Sequence, residues 1–185
     1  MRALLPILMA TAAYAQEAPS GDGSTPLHWA AYRDELAKAD QLVRAGVNVN
    51  AANDLGATPL WAASLNGSVA MVRTLLDAGA NVNATSGFGR TALSLSILSG
   101  NGDETTDLLL ARGAKPALLS GETPLMVASR AGKPLVVEQL MKKGANPNAR
   151  AARGQTALMW AVGQKHPAVV KVLLSGGADL HVRTE

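Results

Sequence analysis

The chain has 185 residues and a mass of 19.0 kDa, room for one domain with a sizeable core. A net charge of +3 is too small to mark a nucleic-acid binder, and the lack of cysteine excludes disulfides, zinc–thiolate sites and thiol nucleophiles. Nearly half the residues (48%) are hydrophobic but only 3% are aromatic, so Ala, Leu and Val must fill the interior, which suits closely spaced helices.

In chain order, MRALLPILMATAAYAQ comes first: Arg2, a short apolar run from Ala3 to Ala13, then Ala13-Tyr14-Ala15 ahead of Gln16. A charged start, an apolar middle and small residues flanking a cut are the parts of a secretory signal. Residues 1–15 are therefore expected to be an export signal cleaved after Ala15, giving a periplasmic or secreted protein. The run is too short to span a bilayer, which takes about 20 apolar residues. Residues 16–24, QEAPSGDGS, read as a flexible lead-in.

From Thr25 onward the chain repeats itself. TPLHWAA recurs as TPLWAAS from Thr58, TALSLSI from Thr91, TPLMVAS from Thr123 and TALMWAV from Thr156, in steps of 33, 33, 32 and 33 residues. A second marker tracks the first, with glycines at 46, 79, 113, 144 and 177 in RAGVNVN, DAGANVN, ARGAKP, KKGANPN and SGGADLH. Five repeats, at about 25–53, 54–86, 87–118, 119–151 and 152–183, fill residues 25–185 and leave no separate domain.

Each repeat predicts two helices. The threonine hydroxyl can cap a helix, and Pro fits its first turn. The first helix carries small residues such as Ala30, Ala31, Ala62 and Ala63, and a break follows near Asp34, Gly67, Gly100, Gly132 or Lys165. The second helix sets apolar pairs at helical spacing: Met71/Val72 with Leu75/Leu76, Val136/Val137 with Leu140/Met141, Val169/Val170 with Leu173/Leu174. The marker glycine then supplies a left-handed cap. A finger such as Asn53-Asp54-Leu55-Gly56 leads to the next threonine.

With T-P-L-H-x-A at a 33-residue period, the chain resembles the ankyrin repeat family over about 160 of its residues. The resemblance implies an all-α solenoid of stacked helix-turn-helix repeats with projecting hairpin-like fingers and a concave binding face. Two departures stand out: one extra residue between Ser99 and Glu104, and a finger two residues short between Gly113 and Thr123.

The resemblance also implies where a protein partner would touch. In that family contacts come from finger tips and from the two residues after the small pair of the first helix. Carried over, the finger set is Asn53, Asp54, Leu55, Ala57, Phe88, Arg90, Glu122, Arg153 and Gln155. The helix set is Tyr32, Arg33, Leu65, Asn66, Leu98, Ser99, Arg130 and Gln164. Phe88, the only Phe, lies two residues from Arg90, and exposed aromatics with arginines are what interface hot spots favour. A Phe folded onto a neighbouring finger is the other reading. Trp29 and Trp160 share one register and either face the groove or cover the gap between repeats. Lys142, Lys143, Arg150 and Arg153 read as a solvated surface.

No catalytic, cofactor or metal set emerges. His28 has Trp61, Ser94, Met126 and Met159 at its register in the other repeats, so packing and hydrogen bonding at a helix start are its expected roles. His166 and His181 fall several repeats away, which rules out a three-histidine metal site in a solenoid. Gly87-Phe88-Gly89 is a finger turn, and Asp103-Glu104 reads as a capping and dipole pair at a helix start.

Stability is expected to vary along the stack. Repeat three puts Thr105 and Thr106 where its neighbours have Met71/Val72 and Val136/Val137, which predicts the easiest place to open. The first repeat has a polar outer face at Lys38, Asp40 and Gln41, as a terminal repeat needs. The fifth stays apolar, which predicts further repeats or a second copy on that face. The expected function is an exported, non-catalytic protein-interaction module. The alternative is the ankyrin region of a longer exported enzyme or secreted effector with functional residues beyond Glu185.

Overall fold

The computed structural model describes residues 21–99, 102–115 and 122–182. The expected export signal, most of the lead-in and the break at Gly100 lie outside the described residues. Among those residues ten helices form and no strand, two helices per repeat. They are α1 (Pro26–Tyr32) and α2 (Leu36–Arg44), α3 (Pro59–Asn66) and α4 (Val69–Asp77), α5 (Ala92–Leu98) and α6 (Asp103–Ala111). Repeats four and five give α7 (Pro124–Arg130) with α8 (Pro134–Lys142), and α9 (Ala157–Gly163) with α10 (Pro167–Ser175).

The helix starts are the expected caps. The hydroxyls of Thr58, Thr91, Thr123 and Thr156 accept from the backbone N–H groups of Trp61, Ser94, Met126 and Met159 at 3.3, 3.2, 3.2 and 3.4 Å. Each such cap contributes about 1 kcal/mol. All five marker glycines take positive φ. So do Asp34 and Lys165 at the breaks of the first and last repeats, where repeats two and four use Gly67 and Gly132.

The first helices of the repeats stack as an inner row and the second helices as an outer row. Alanines explain the spacing: Ala31, Ala63, Ala128 and Ala161 are completely buried on the inner row. The outer row contributes Leu42, Met71, Leu75, Leu109, Leu140 and Leu173 to the same continuous core. Each inner helix packs on the inner helix of the next repeat, and each outer helix on the next outer one, so the two rows run the length of the stack.

Two series of polar rungs cross the repeat boundaries. On one edge the Asn50 amide donates to the Gly79 carbonyl at 3.1 Å and accepts from Asn81 N–H at 2.7 Å. Asn83 does the same with Gly113 and Lys115, at 3.2 and 2.9 Å. Asn148 repeats it with Gly177 and Asp179, at 3.0 and 2.8 Å. At the inter-helix turns a side chain of each repeat reaches back to a carbonyl of the repeat before it. Asn66 donates to Tyr32, Thr105 to Gly67 at 2.9 Å, Lys133 to Ser99 at 3.1 Å, and His166 Nε2 to Arg130 at 3.1 Å.

Repeat three carries its extra residue in this turn, so four residues separate α5 from α6. Gly102 lies against α5 so closely that a Cβ there would sit 1.5 Å from the Ser96 carbonyl oxygen. Thr105 and Thr106 are fully buried, and each is satisfied: Thr106 Oγ1 meets Ser96 Oγ at 2.8 Å. The acidic pair Asp103-Glu104 occupies the first turn of α6, where the helix dipole favours it, and Asp103 also pairs with Lys133 at 2.7 Å.

The fifth repeat leaves its forward face uncovered within the described residues. Val162 is 60% exposed, whereas Ala31, Ser64, Ile97 and Ser129 at the same register are completely buried by the repeat that follows.

Candidate functional site

The fingers are built by local hydrogen bonds. Asn53 Oδ1 accepts from the N–H groups of Leu55 and Ala57 at 3.1 and 3.0 Å, and Asn53 N–H donates to the Ala57 carbonyl at 3.0 Å. The next finger closes with Ser86 N–H on the Arg90 carbonyl at 2.9 Å. Gly87 N–H then donates to the Leu55 carbonyl at 2.8 Å, tying the two tips side by side. Leu55 and Phe88 are thereby held outward on adjacent turns.

Between these tips and the inner helices runs a groove of about 600 Å³. Of the sequence-predicted residues it gathers Asn53 from the end of repeat one, and Leu55, Ala57, Phe88, Arg90, Leu98, Glu122 and Arg130 from repeats two, three and four. Phe88 is 71% exposed, Leu55 54% and Leu98 45%, so Phe88 is not folded onto a neighbouring finger. Sequence reasoning did not assign Trp61 and Val127 to this wall. Trp61 stands three residues after Thr58, at the register of His28, a position whose local signal is packing at a helix start.

Charge in the groove is unbalanced. Glu122 and Arg130 form a 2.9 Å ion pair, and the Arg130 guanidinium lies over the Trp160 ring, 5.3 Å from its centroid. Arg90 is exposed and forms no ion pair among the described residues. The groove therefore presents one uncompensated positive charge beside exposed apolar groups.

The remaining predicted residues lie elsewhere. Tyr32 meets Trp29 edge-on at 6.2 Å, and Arg33 covers the same indole at 5.6 Å. Both tryptophans of that register thus pack under an arginine. Asn66 closes the end of α1 through the Tyr32 carbonyl, a structural duty. Asp54 and Leu65 are exposed outside the groove lining, as are Arg153 and Gln164 in the fifth repeat, where Gln155 is half-buried.

His28 is occupied structurally. Its Nδ1 accepts from Thr25 N–H at 3.0 Å and meets Thr25 Oγ1 at 2.8 Å, while Nε2 lies 2.9 Å from the Ala57 carbonyl of the next finger. Only the neutral ring with its proton on Nε2 satisfies both sides. Burial pushes its pKa below the ordinary 6.5, with the Ala57 carbonyl opposing. Trp61 and Trp160 lack this arrangement, and their buried indole N–H groups have no hydrogen-bond partner among the described residues. No group of three or more potential metal ligands occurs among the described residues, and no helix there is long and apolar enough to cross a membrane.

Comparison with known proteins agrees with this architecture. An ankyrin repeat-containing protein of Treponema pallidum is 40% identical over 80 residues, 42% of this chain and 27% of that protein. NF-kappa-B inhibitor delta of Mus musculus is 40% identical over 65 residues, 34% of this chain and 20% of its own. Mitochondrial disaggregase of Bos taurus is 45% identical over 60 residues, 32% of this chain and 9% of its own. The matched part is thus little more than a quarter of these relatives' length at most. The family described as Ankyrin repeats (3 copies) matches at residues 2–86, 27–118 and 93–184. Those matches run through all five helix pairs, their threonine caps and their fingers, and the chain belongs to the ankyrin repeat family.

Proposed function

We propose that this chain is an exported, non-catalytic protein-interaction module that holds its partner on the finger tips and inner-helix face of repeats two to four. Ankyrin repeats are in general protein–protein interaction modules. The observation that carries the finer reading is the meeting of exposed Phe88, Leu55 and Leu98 with an uncompensated Arg90 in one groove. Aromatic and arginine anchors of this kind dominate interface energies. A pull-down with residues 16–185 from the exporting compartment tests it. The double change Phe88→Ala, Arg90→Ala should weaken capture by more than about 2 kcal/mol with the melting temperature unmoved. Full retention of binding, or a large loss of stability, ends this assignment.

Export is supported by Arg2, the apolar run and Ala13-Tyr14-Ala15. Mature protein from the native host should begin at Gln16, and an intact Met1 on cytosolic protein would refute export. A second reading is favoured by the greater length of the relatives: the same module serving within a longer exported enzyme or effector. An open reading frame continuing past Glu185 supports that reading, and a stop codon there removes it.

A further inference from the structure

Apart from the buried indole N–H of Trp61 and the Arg90 guanidinium, the polar side chains around the groove are committed within the protein. Asn53 is used by its own finger and by Ser24, 3.1 Å away. Thr91 and Ser94 cap each other, and Ser86 Oγ accepts from Arg90 N–H at 3.3 Å. Glu122 is paired with Arg130, whose guanidinium is stacked on Trp160. The Arg90 guanidinium alone is exposed and without an ion pair among the described residues. Around it the wall is apolar, with Phe88 and Leu98 foremost.

We propose that the groove takes an extended segment of a partner protein in which an aspartate or glutamate stands beside an apolar side chain. The carboxylate pairs with Arg90 and the apolar group covers Phe88 and Leu98. The proposal rests on the protein-binding reading above and narrows it to a partner chemistry. Charge sets the sign: a basic segment would meet Arg90 and find Glu122 already taken. A wholly apolar segment would cover Arg90 unpaired, and an unpaired charge removed from water is costly. Arginine also offers a carboxylate two parallel donors, which fixes orientation as well as sign. Apart from Asn53, the lining comes from three successive repeats, so a segment can run along the groove, which favours an internal acidic residue over a chain-terminal carboxylate.

The test is selection of peptides from a random displayed library, fused so that no terminal carboxylate is free, on the full chain. Wild-type protein should enrich Asp or Glu close to Leu, Phe or Trp. A selected peptide made synthetically should bind Arg90→Glu about tenfold more weakly, with its Glu→Lys version recovering on that variant. Leu98→Lys should also weaken it, and Arg153→Glu should not. All three positions are exposed, and thermal melting confirms that each variant folds. Enrichment without acidic residues, unchanged binding to Arg90→Glu, or binding only by peptides with a free C-terminus overturns the proposal. Binders sensitive to Leu98→Lys but indifferent to charge sink it while leaving the groove reading intact. Binders indifferent to both changes sink the groove reading as well, and an empty selection counts against both.

Discussion

The side-chain amide of Asn148 donates to the carbonyl of Gly177 at 3.0 Å, across the boundary between repeats four and five. Its oxygen accepts from Asp179 N–H, so one side chain satisfies two backbone groups of the loop that follows α10. Asn148→Ala should cost about 1–2 kcal/mol, the net worth of two partly exposed hydrogen bonds. A lower urea midpoint at unchanged m-value is the expected readout, and an unmoved midpoint would show the rung to be idle.

The same rungs sharpen the expectation for repeat three. Its counterpart of Asn50 and Asn83 is Ala117, counted from the marker glycine, and alanine has no amide to give. Inner-helix packing is also thinnest between α5 and α7. Buried Thr105 and Thr106 are satisfied, so no polar penalty adds to this, but they bring less apolar contact than Met71 and Val72. In a solenoid the weakest interface opens first. Hydrogen exchange of residues 102–115 should be faster than in α3–α4 and α7–α8. Equal protection across the three repeats would contradict the prediction.

His28 makes stability depend on pH. Its folded-state pKa is lowered, so the unfolded chain binds the proton more readily. The contribution is complete above the ordinary value of 6.5 and is lost as pH falls below it toward the lowered folded value. The melting temperature should therefore drop on mild acidification. His28→Ala should be less stable by about 2 kcal/mol at neutral pH, because it strands the Thr25 N–H and Ala57 carbonyl. It should also respond less to acid, and an identical acid response in both proteins would show that His28 is not the group concerned.

Among the described residues, nothing covers the face of the fifth repeat that bears Val162 and Leu174, both exposed. A second copy is the occupant we propose for it in solution. Sedimentation of residues 16–185 should show concentration-dependent association that the double change Val162→Lys, Leu174→Lys removes. Matching, strictly monomeric behaviour of both proteins would exclude self-association through this face.

Period and caps were decided by the sequence. Five Thr-Pro or Thr-Ala steps, five glycines and the spacing of apolar pairs are local signals, because a helix start, a helix end and a helix face each depend on residues within about a turn of one another. The same locality exposed the odd loops of repeat three. Contacts across repeats were a different matter. That Asn50, Asn83 and Asn148 bridge to the next repeat depends on partners 29 to 32 residues away, which N-x-N in one finger does not reveal. Gly102 falls in the lengthened turn between Ser99 and Glu104, yet only the approach of α5 leaves it no room for a side chain. Of the residues carried over from the family, the tertiary arrangement placed Phe88, Arg90 and Leu98 around one groove and gave Asn66 to a helix end. It also consumed Arg130 in an ion pair while leaving Arg90 open. Charge balance and exposure are properties of neighbours in space, and repeats 33 residues apart become neighbours only when the stack forms.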